Sequence, residues 1–271
     1  ELLQGRPGEV LVADDEIHER GPLPPDVRLP VVERLEELRV DGLTFAFDHA
    51  GIDDVSFTLP RGSFTVVTGR VGSGKSTLLR SVLGLLPASG SISWNGTRVD
   101  DPSTFLVPPR TAYTPQVPNL FSETLRDNIL LGVEGDVDEA VRLAVLDDDV
   151  AEMADGLATP IGSRGVRLSG GQLQRTAAAR MFVRRPELLV CDDLSSALDV
   201  ETEAALWDRV LAERTRTVLA VSHRHAALRR ADQVIILQAG RVVDAGPLAE
   251  VLPRCEELRA LWRDAVLASD A

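Results

Sequence analysis

The sequence predicts an α/β fold, a mixed sheet with a mostly parallel core, and three observations lead to that prediction. Near-continuous apolar runs such as "ELLVCDD", "TVLAVSH" and "DQVIILQAG" are separated by helix-like stretches, which is typical of parallel strands buried on both faces. Shorter alternating runs near the N-terminus, broken by Gly and Pro, favour an antiparallel β subdomain. Apolar residues at spacings of three and four between about 117 and 181 indicate an inserted α-helical subdomain.

Composition limits the possible functions. The chain has 271 residues and a formal net charge of −13, which argues against binding to a nucleic-acid backbone. No apolar run approaches the roughly 18 residues that a membrane span requires. The two cysteines, Cys191 and Cys255, have no metal-ligand spacing, which favours a reducing compartment and a buried apolar role for Cys191.

The chain divides into three parts. Residues 1–36 contain "RGPLPPDVRLP", whose prolines favour an extended linker. Because the first residue is Glu1 rather than Met, we expect this linker to connect to a part of a longer protein. Residues 37–250 are expected to form the main domain, and residues 251–271 are expected to be a C-terminal helical tail on the surface.

The strongest motif is "GRVGSGKST", which follows the apolar strand "FTVVTG" and precedes the helix "STLLRSVLGLL". This pattern in this context predicts a phosphate-binding loop (P-loop) and the corresponding nucleoside triphosphatase fold. Glycines allow backbone amides to surround phosphates, Lys75 supplies a positive charge, and the Ser76 hydroxyl is expected to hold Mg²⁺. The predicted nucleotide-binding residues are Gly69, Arg70, Val71, Gly72, Ser73, Gly74, Lys75, Ser76 and Thr77.

Two adjacent carboxylates follow the buried strand "LLVC". In P-loop proteins a second parallel strand delivers an acid to the edge of the sheet where the loop holds Mg²⁺. This assigns Asp192 to the metal side; the alternative is a helix N-cap. Asp193 is the second acid of the pair.

A second potential anion site lies in "LSGGQLQRTAAARMF", where Ser169, Gly170 and Gly171 precede a helix. Together with the P-loop and the acidic strand, "LSGGQ" closely resembles the signature of ATP-binding cassette (ABC) proteins, and the motifs span Phe47 to His223. The resemblance implies ATP and Mg²⁺ as ligands. It also implies a second cassette packed head to tail, so that Ser169–Gln172 covers ATP bound to the partner.

The resemblance assigns further residues. Gln116 in "YTPQ" matches the glutamine that contacts Mg²⁺ and the attacking water, and His223 in "VSHRH" matches the switch histidine. Asp199 in "SSALD" matches the loop that reaches the partner cassette, and Asp193 takes the place of the general base. Phe47 matches the aromatic residue that stacks on adenine.

Several positions depart from the family pattern. The base position is usually Glu, and Asp193 is one methylene shorter, a difference of roughly 1.5 Å. Such a displacement can cost on the order of 10²-fold in rate. Leu194 replaces the usual Pro, Phe47 replaces Tyr, and Pro160 and Ser163 replace two acids in "TPIGSRGVR". Contact with a membrane domain is therefore expected to differ from the usual form.

These departures leave two interpretations of turnover. Asp193 could support hydrolysis through a shifted backbone or a second water. Alternatively, the chain is the weakly hydrolysing half of a heterodimer. This interpretation is favoured because Asp193, Phe47 and Leu194 depart from the family pattern at the same site, whereas the signature is intact.

The wider role also has alternatives. The stretch "NLFSETLRDNILLG" resembles exporter cassettes, which implies a transmembrane partner domain and a position at the cytoplasmic face of the cell membrane. A soluble ABC-class ATPase and a non-hydrolysing regulatory module that dimerises on ATP are the other hypotheses.

Overall fold

The fold consists of two β-sheets and ten α-helices in the part of the chain that the structure describes. The computed structural model describes residues 29, 31–47, 50–162 and 167–269. The strands are β1 Glu37–Phe47, β2 Ala50–Pro60, β3 Phe64–Thr68, β4 Ser89–Trp94, β5 Thr97–Arg98, β6 Thr111–Thr114, β7 Leu188–Asp192, β8 Thr217–Val221, β9 Gln233–Gln238 and β10 Arg241–Gly246. The helices are α1 Lys75–Val82, α2 Pro102–Phe105, α3 Leu125–Leu130, α4 Val137–Leu143, α5 Asp147–Glu152, α6 Gly170–Phe182, α7 Val200–Leu211, α8 His225–Arg230, α9 Leu248–Arg254 and α10 Glu256–Ser269.

The larger sheet confirms the predicted mixed, mostly parallel core. Its six strands run in the order β10-β9-β3-β8-β7-β6, and every neighbouring pair is parallel except β9 with the edge strand β10. Every residue of β3, β7 and β8 is buried, as their continuous apolar runs predict.

The smaller sheet is antiparallel, in the order β2-β1-β4-β5, as expected for the N-terminal β subdomain. It covers α1: the apolar side chains of β1 and β2 share one core with Leu78 and Leu79 of α1 and with the residues Val67, Val190 and Leu219 of the large sheet. The loop between β3 and α1 therefore emerges between the two sheets.

The other face of the large sheet packs against the helical part. Neighbouring positions on the strands, such as Val66, Leu189 and Cys191, belong to a second core with α3, α4 and α6. The segment from 137 to 152 forms two helices rather than one, because Val145 adopts a left-handed conformation, φ 56°, between α4 and α5. The proposed bounds of the helical subdomain and of the whole domain stay predictions.

The C-terminal tail is more than a surface helix. Leu258 of α10 is fully buried, and Glu257 accepts a hydrogen bond from Arg70 Nε at 2.7 Å. The ring of Trp262 lies 4.0 Å, centroid to centroid, from that of His225 in α8. The tail thus contacts both the P-loop and the segment after β8.

The predicted linker falls largely outside the described residues. At its described end, Leu35 is buried and its backbone N–H donates to Glu187 Oε2 at 3.0 Å. Among the described residues, no helix has both the length and the hydropathy needed to cross a bilayer.

We expect Trp207→Ala to lower the free energy of unfolding by about 3–5 kcal/mol, the usual range for truncating a buried aromatic side chain. Trp207 is 1% exposed and its ring centroid lies 4.8 Å from that of Phe64 in β3. Guanidinium denaturation measures the change. Leu85→Ala, at a residue that is 57% exposed, is the control and should change stability by about 0.5 kcal/mol or less; equal losses would contradict this account of the core.

Candidate nucleotide-binding site

The loop between β3 and α1 has the backbone that a phosphate cradle requires. Gly69, Gly72 and Gly74 have φ angles of 151°, 80° and 101°, which side chains rarely allow. A Cβ at Gly69 would lie 2.2 Å from the Leu237 carbonyl oxygen, and one at Gly74 would lie 2.6 Å from that of Gly51. Helix α1 begins directly after Gly74, and no described side chain caps it, so its first amides remain available to bind an anion.

Lys75 is held inside this loop and is the only lysine of the sequence. Its Nζ donates to the carbonyl oxygens of Gly69 and Arg70 at 2.7 and 2.8 Å. Burial lowers the pKa of the Lys75 amine, and the negative charges of Asp192 and Asp193 oppose that shift. The two carbonyl oxygens therefore hold the Lys75 amine in place within the loop.

Ser76 and Asp192 meet at the predicted metal position. The Ser76 hydroxyl donates to Asp192 Oδ1 at 3.0 Å, while Asp192 Oδ2 is buried and has no hydrogen-bond partner among the described residues. Burial raises the pKa of Asp192. A hydroxyl, a carboxylate and phosphate oxygens suit Mg²⁺, which prefers few protein ligands and hard oxygen donors, so these residues fit that ion. The alternative role as a helix N-cap belongs instead to Asp199, which caps α7.

Asp193 follows in a left-handed conformation, with φ 54°. Asp adopts this conformation more readily than most residues. Its side chain is 8% exposed, and Oδ1 is buried with no hydrogen-bond partner in the described part of the chain. Burial raises the pKa of Asp193, and the Asp192 charge raises it further, whereas His223, Arg224 and Lys75 lower it. A carboxyl poised in this way matches the requirements of a general base.

The other predicted catalytic residues follow strands of the same sheet edge. His223 is exposed in the loop after β8 and is close enough to influence the pKa of Asp193. Gln116 is exposed two residues beyond β6, whose last residue, Thr114, pairs with Cys191 of β7. Phe47 ends β1, but its side chain lies outside the described residues, as does Ser163.

The signature segment forms a separate cradle. Ser169 caps α6: its Oγ accepts from Gln172 N at 3.2 Å, and Ser169 N donates to Gln172 Oε1 at 2.9 Å. The Gln172 side chain also donates to Asp149 of α5 at 2.8 Å. Ser169 and Gly170 are exposed, and Gly171 is partly exposed. In the described residues, no hydrogen bond or ion pair joins this segment to the P-loop, so one chain carries two distinct cradles.

Asp199, predicted to reach a partner, is also exposed. Within this chain its carboxylate accepts from Thr202 N at 2.8 Å and from Thr202 Oγ1 at 2.7 Å, which caps α7. A contact with a partner stays a prediction.

Three polar residues near the site were not predicted from the sequence. Glu203, Gln174 and Arg224 each hydrogen-bond to the turn that follows Asp193. Glu203 carried a signal: it occupies the apolar face of α7 with Leu206, Trp207 and Val210, and a buried carboxylate on such a face requires a partner.

Comparison with known proteins identifies the family. A family model described as "ABC transporter" matches residues 52–196, more than half of the chain. The chain belongs to the ABC transporter family. The matched segment of this ABC cassette contains the P-loop, the signature and both adjacent carboxylates.

The chain is similar to transporters whose names give different roles. The cassette is 40% identical over 86% of its length to the mycobactin import ATP-binding/permease protein IrtB of Mycolicibacterium smegmatis, and 39% identical over 79% of its length to the ABC multidrug transporter MDR2 of Trichophyton interdigitale. It spans 42% and 16% of these two proteins, respectively. The structure of a bacterial Atm1-family ABC exporter with ATP bound matches 88% of the cassette at a TM-score of 0.78 and 29% identity, over 43% of that exporter chain. The predicted fold and family are confirmed.

We expect Asp193→Glu to raise steady-state ATP hydrolysis at least several-fold, because the longer side chain moves the carboxylate toward the substrate. Asp192→Glu is the matched control: the same extension beside Ser76 should lower the rate by crowding the metal position. An unchanged rate in Asp193→Glu would remove the premise that side-chain length limits turnover. Phosphate release at saturating ATP measures both.

We expect Asp192→Asn to stabilise the nucleotide-free protein while weakening Mg²⁺-dependent nucleotide binding. A carboxyl whose pKa is raised on folding destabilises the fold where it is charged, so the gain is full at neutral pH. The gain should shrink as the pH falls through the raised pKa toward the ordinary value of about 3.9. Thermal denaturation across this pH range tests it, and a variant less stable than wild type at neutral pH would contradict it.

Proposed function

We propose that this chain is the ATP-binding and ATP-hydrolysing motor domain of an exporter-type ABC transporter. The observation that carries the proposal is the pairing of Ser76 with Asp192 beside Lys75, with one buried Asp192 oxygen that has no hydrogen-bond partner among the residues that the structure describes. A triphosphate bound with Mg²⁺ complements this arrangement of one amine, one hydroxyl and inward-facing amides.

The side chains have distinct roles in this proposal. Lys75 and the amides of residues 69–77 bind the phosphates, and Ser76 and Asp192 hold Mg²⁺ with Gln116. The Mg²⁺ ion, when bound, neutralises charge that develops on the phosphate oxygens. Asp193 accepts the proton of the attacking water, and His223 stabilises the terminal phosphate. Phe47 stacks on the adenine.

The second cradle supports a head-to-tail dimer. Ser169, Gly170, Gly171 and Gln172 lie at an accessible helix start that does not contact the P-loop of the same chain. We assign it to ATP on a second cassette, with Asp199 at the same interface. Because Asp193 is short while the signature is intact, we propose a heterodimer in which this chain contributes the weaker hydrolytic site.

The proposed partner is a transmembrane domain, joined through the linker of residues 1–36, with the cassette at the cytoplasmic face of the membrane. The ATP-binding/permease description of IrtB supports such a combination. That name includes import, whereas the Atm1-family neighbour is an exporter. The cassette fold therefore does not determine the direction of transport or the substrate, and we assign both to the membrane part. The acidic charge argues against nucleic acid as the partner.

The sole lysine permits a direct test. Acylation of Lys75 by an amine-reactive reagent, followed by mass spectrometry of its peptide, should be suppressed by Mg-ATP, because the amine then contacts phosphate. Lys75→Ala should weaken ATP binding at least about tenfold, or 1.4 kcal/mol. Arg61→Ala, whose side chain pairs with Glu36 at 3.2 Å, is the control and should bind ATP normally. Unprotected Lys75 or unchanged affinity in Lys75→Ala would refute the proposal.

A further inference from the structure

Arg224 follows the predicted switch residue His223, yet its guanidinium turns inward. Its Nη1 donates to the carbonyl oxygens of Ser195 and Leu198 at 2.5 and 2.6 Å. Its Nε lies 3.3 Å from Glu203 Oε2, and the Glu203 side chain is only 2% exposed. One side chain thus joins the loop after β8, the Ser195–Leu198 turn and helix α7.

The same turn is held on its other side by the signature helix. Gln174 Oε1 accepts from Ala197 N at 2.9 Å, and Gln174 Nε2 donates to Ser196 Oγ at 2.7 Å. The turn also bonds back to the base position, since Ser196 N and Oγ both donate to the Asp193 carbonyl oxygen, at 3.3 and 3.1 Å. Arg224 and Gln174 therefore brace a turn that begins at Asp193.

The backbone of Arg224 is anchored to the strand that leads into the P-loop. Arg224 N donates to Ser222 Oγ at 3.2 Å, and Ser222 N donates to Val67 O of β3 at 3.2 Å. Movement of the turn relative to β3 must therefore break a bond of the guanidinium or displace the segment that carries His223.

Glu203 of α7 contacts both the turn and Arg224. Its Oε1 accepts from Ser195 Oγ at 2.7 Å and from Trp207 Nε1 at 3.4 Å, which leaves Oε2 for Arg224. Removing either partner of such a pair leaves a charge with little access to water, which is strongly unfavourable. The pair therefore fixes the position of the Ser195–Leu198 turn relative to α7.

We propose that Arg224 is a positioning residue for ATP hydrolysis: it holds the Ser195–Leu198 turn against the His223 loop and so fixes the place of Asp193. The inference rests on the proposed function and adds a residue whose described side-chain contacts are with protein groups. A lysine cannot replace it, because an ammonium is a compact charge, whereas the planar guanidinium bridges two carbonyls and a carboxylate at once.

Arg224→Lys tests the proposal in the 271-residue chain and in the Asp193→Glu background, so that a slow base does not mask the effect. We expect kcat for ATP hydrolysis to fall about 10- to 100-fold, since a displacement near 1 Å has that effect. The Kd for ATP should change less than about twofold, because the P-loop is untouched. Arg229→Lys is the matched control: it lies on the adjacent helix, its guanidinium is 5.6 Å from the Trp262 ring, and its kcat should equal wild type.

Glu203→Gln tests the same Arg224–Glu203 pair by changing the carboxylate. The amide keeps an acceptor for Ser195 but removes the charge that faces Arg224, so kcat should again fall while the Kd is preserved. If Arg224→Lys and Arg229→Lys have equal kcat, the inference is wrong and the proposed function stands. A parallel loss of affinity and kcat, or failure of both variants to fold, indicates a purely structural role and also overturns it.

A different result is expected if the proposed function itself is wrong. In that case the wild-type chain would not bind ATP, or the wild-type and Asp193→Glu chains would bind ATP without hydrolysing it. The inference would then fall with it.

Discussion

The parallel register of the large sheet is the constraint on which the site depends. Val67 of β3 and Asp192 of β7 both pair with Val221 of β8, so these strands end at the same level. The loops that follow them carry the P-loop, the two carboxylates and His223, and they converge because parallel strands share one carboxyl edge. The alternation of side chains along the same strands sends one face to α1 and the other to the helical part.

The sequence predicted most of this framework because its signals are local. Continuous apolar runs distinguish strands buried on both faces, and the spacing of Gly69, Gly74 and Lys75 reflects backbone angles that few residues adopt. Other features depend on tertiary contacts: Arg224 and Glu203 are 21 positions apart, and their pairing exists only once α7 packs under the turn. Strand β6 and edge strand β10 were not singled out from the sequence, because short or half-exposed runs carry weak periodicity.

The electrostatics of the site contrast with the rest of the chain. Elsewhere in the described residues, positive charge is carried by arginines, many in exposed ion pairs such as Arg254 with Asp244 and Arg214 with Asp232. At the P-loop the chain places its one lysine, whose compact ammonium donates to two carbonyl oxygens. Two adjacent carboxyls with raised pKa values lie beside it, an arrangement that destabilises the fold locally and is typical of functional sites.

The bond between Arg70 and Glu257 has a mechanical consequence for the whole cassette. Arg70 lies inside the P-loop, and its carbonyl holds Lys75, while Glu257 lies 187 positions later in α10. This hydrogen bond links the P-loop to α10, so a shift of the loop that the exposed Arg70 side chain does not absorb breaks the bond or moves the helix. Through Trp262, the same helix touches the segment that follows His223. Helix α10 therefore contacts two segments of the candidate site at once, the P-loop through Glu257 and the segment after His223 through Trp262.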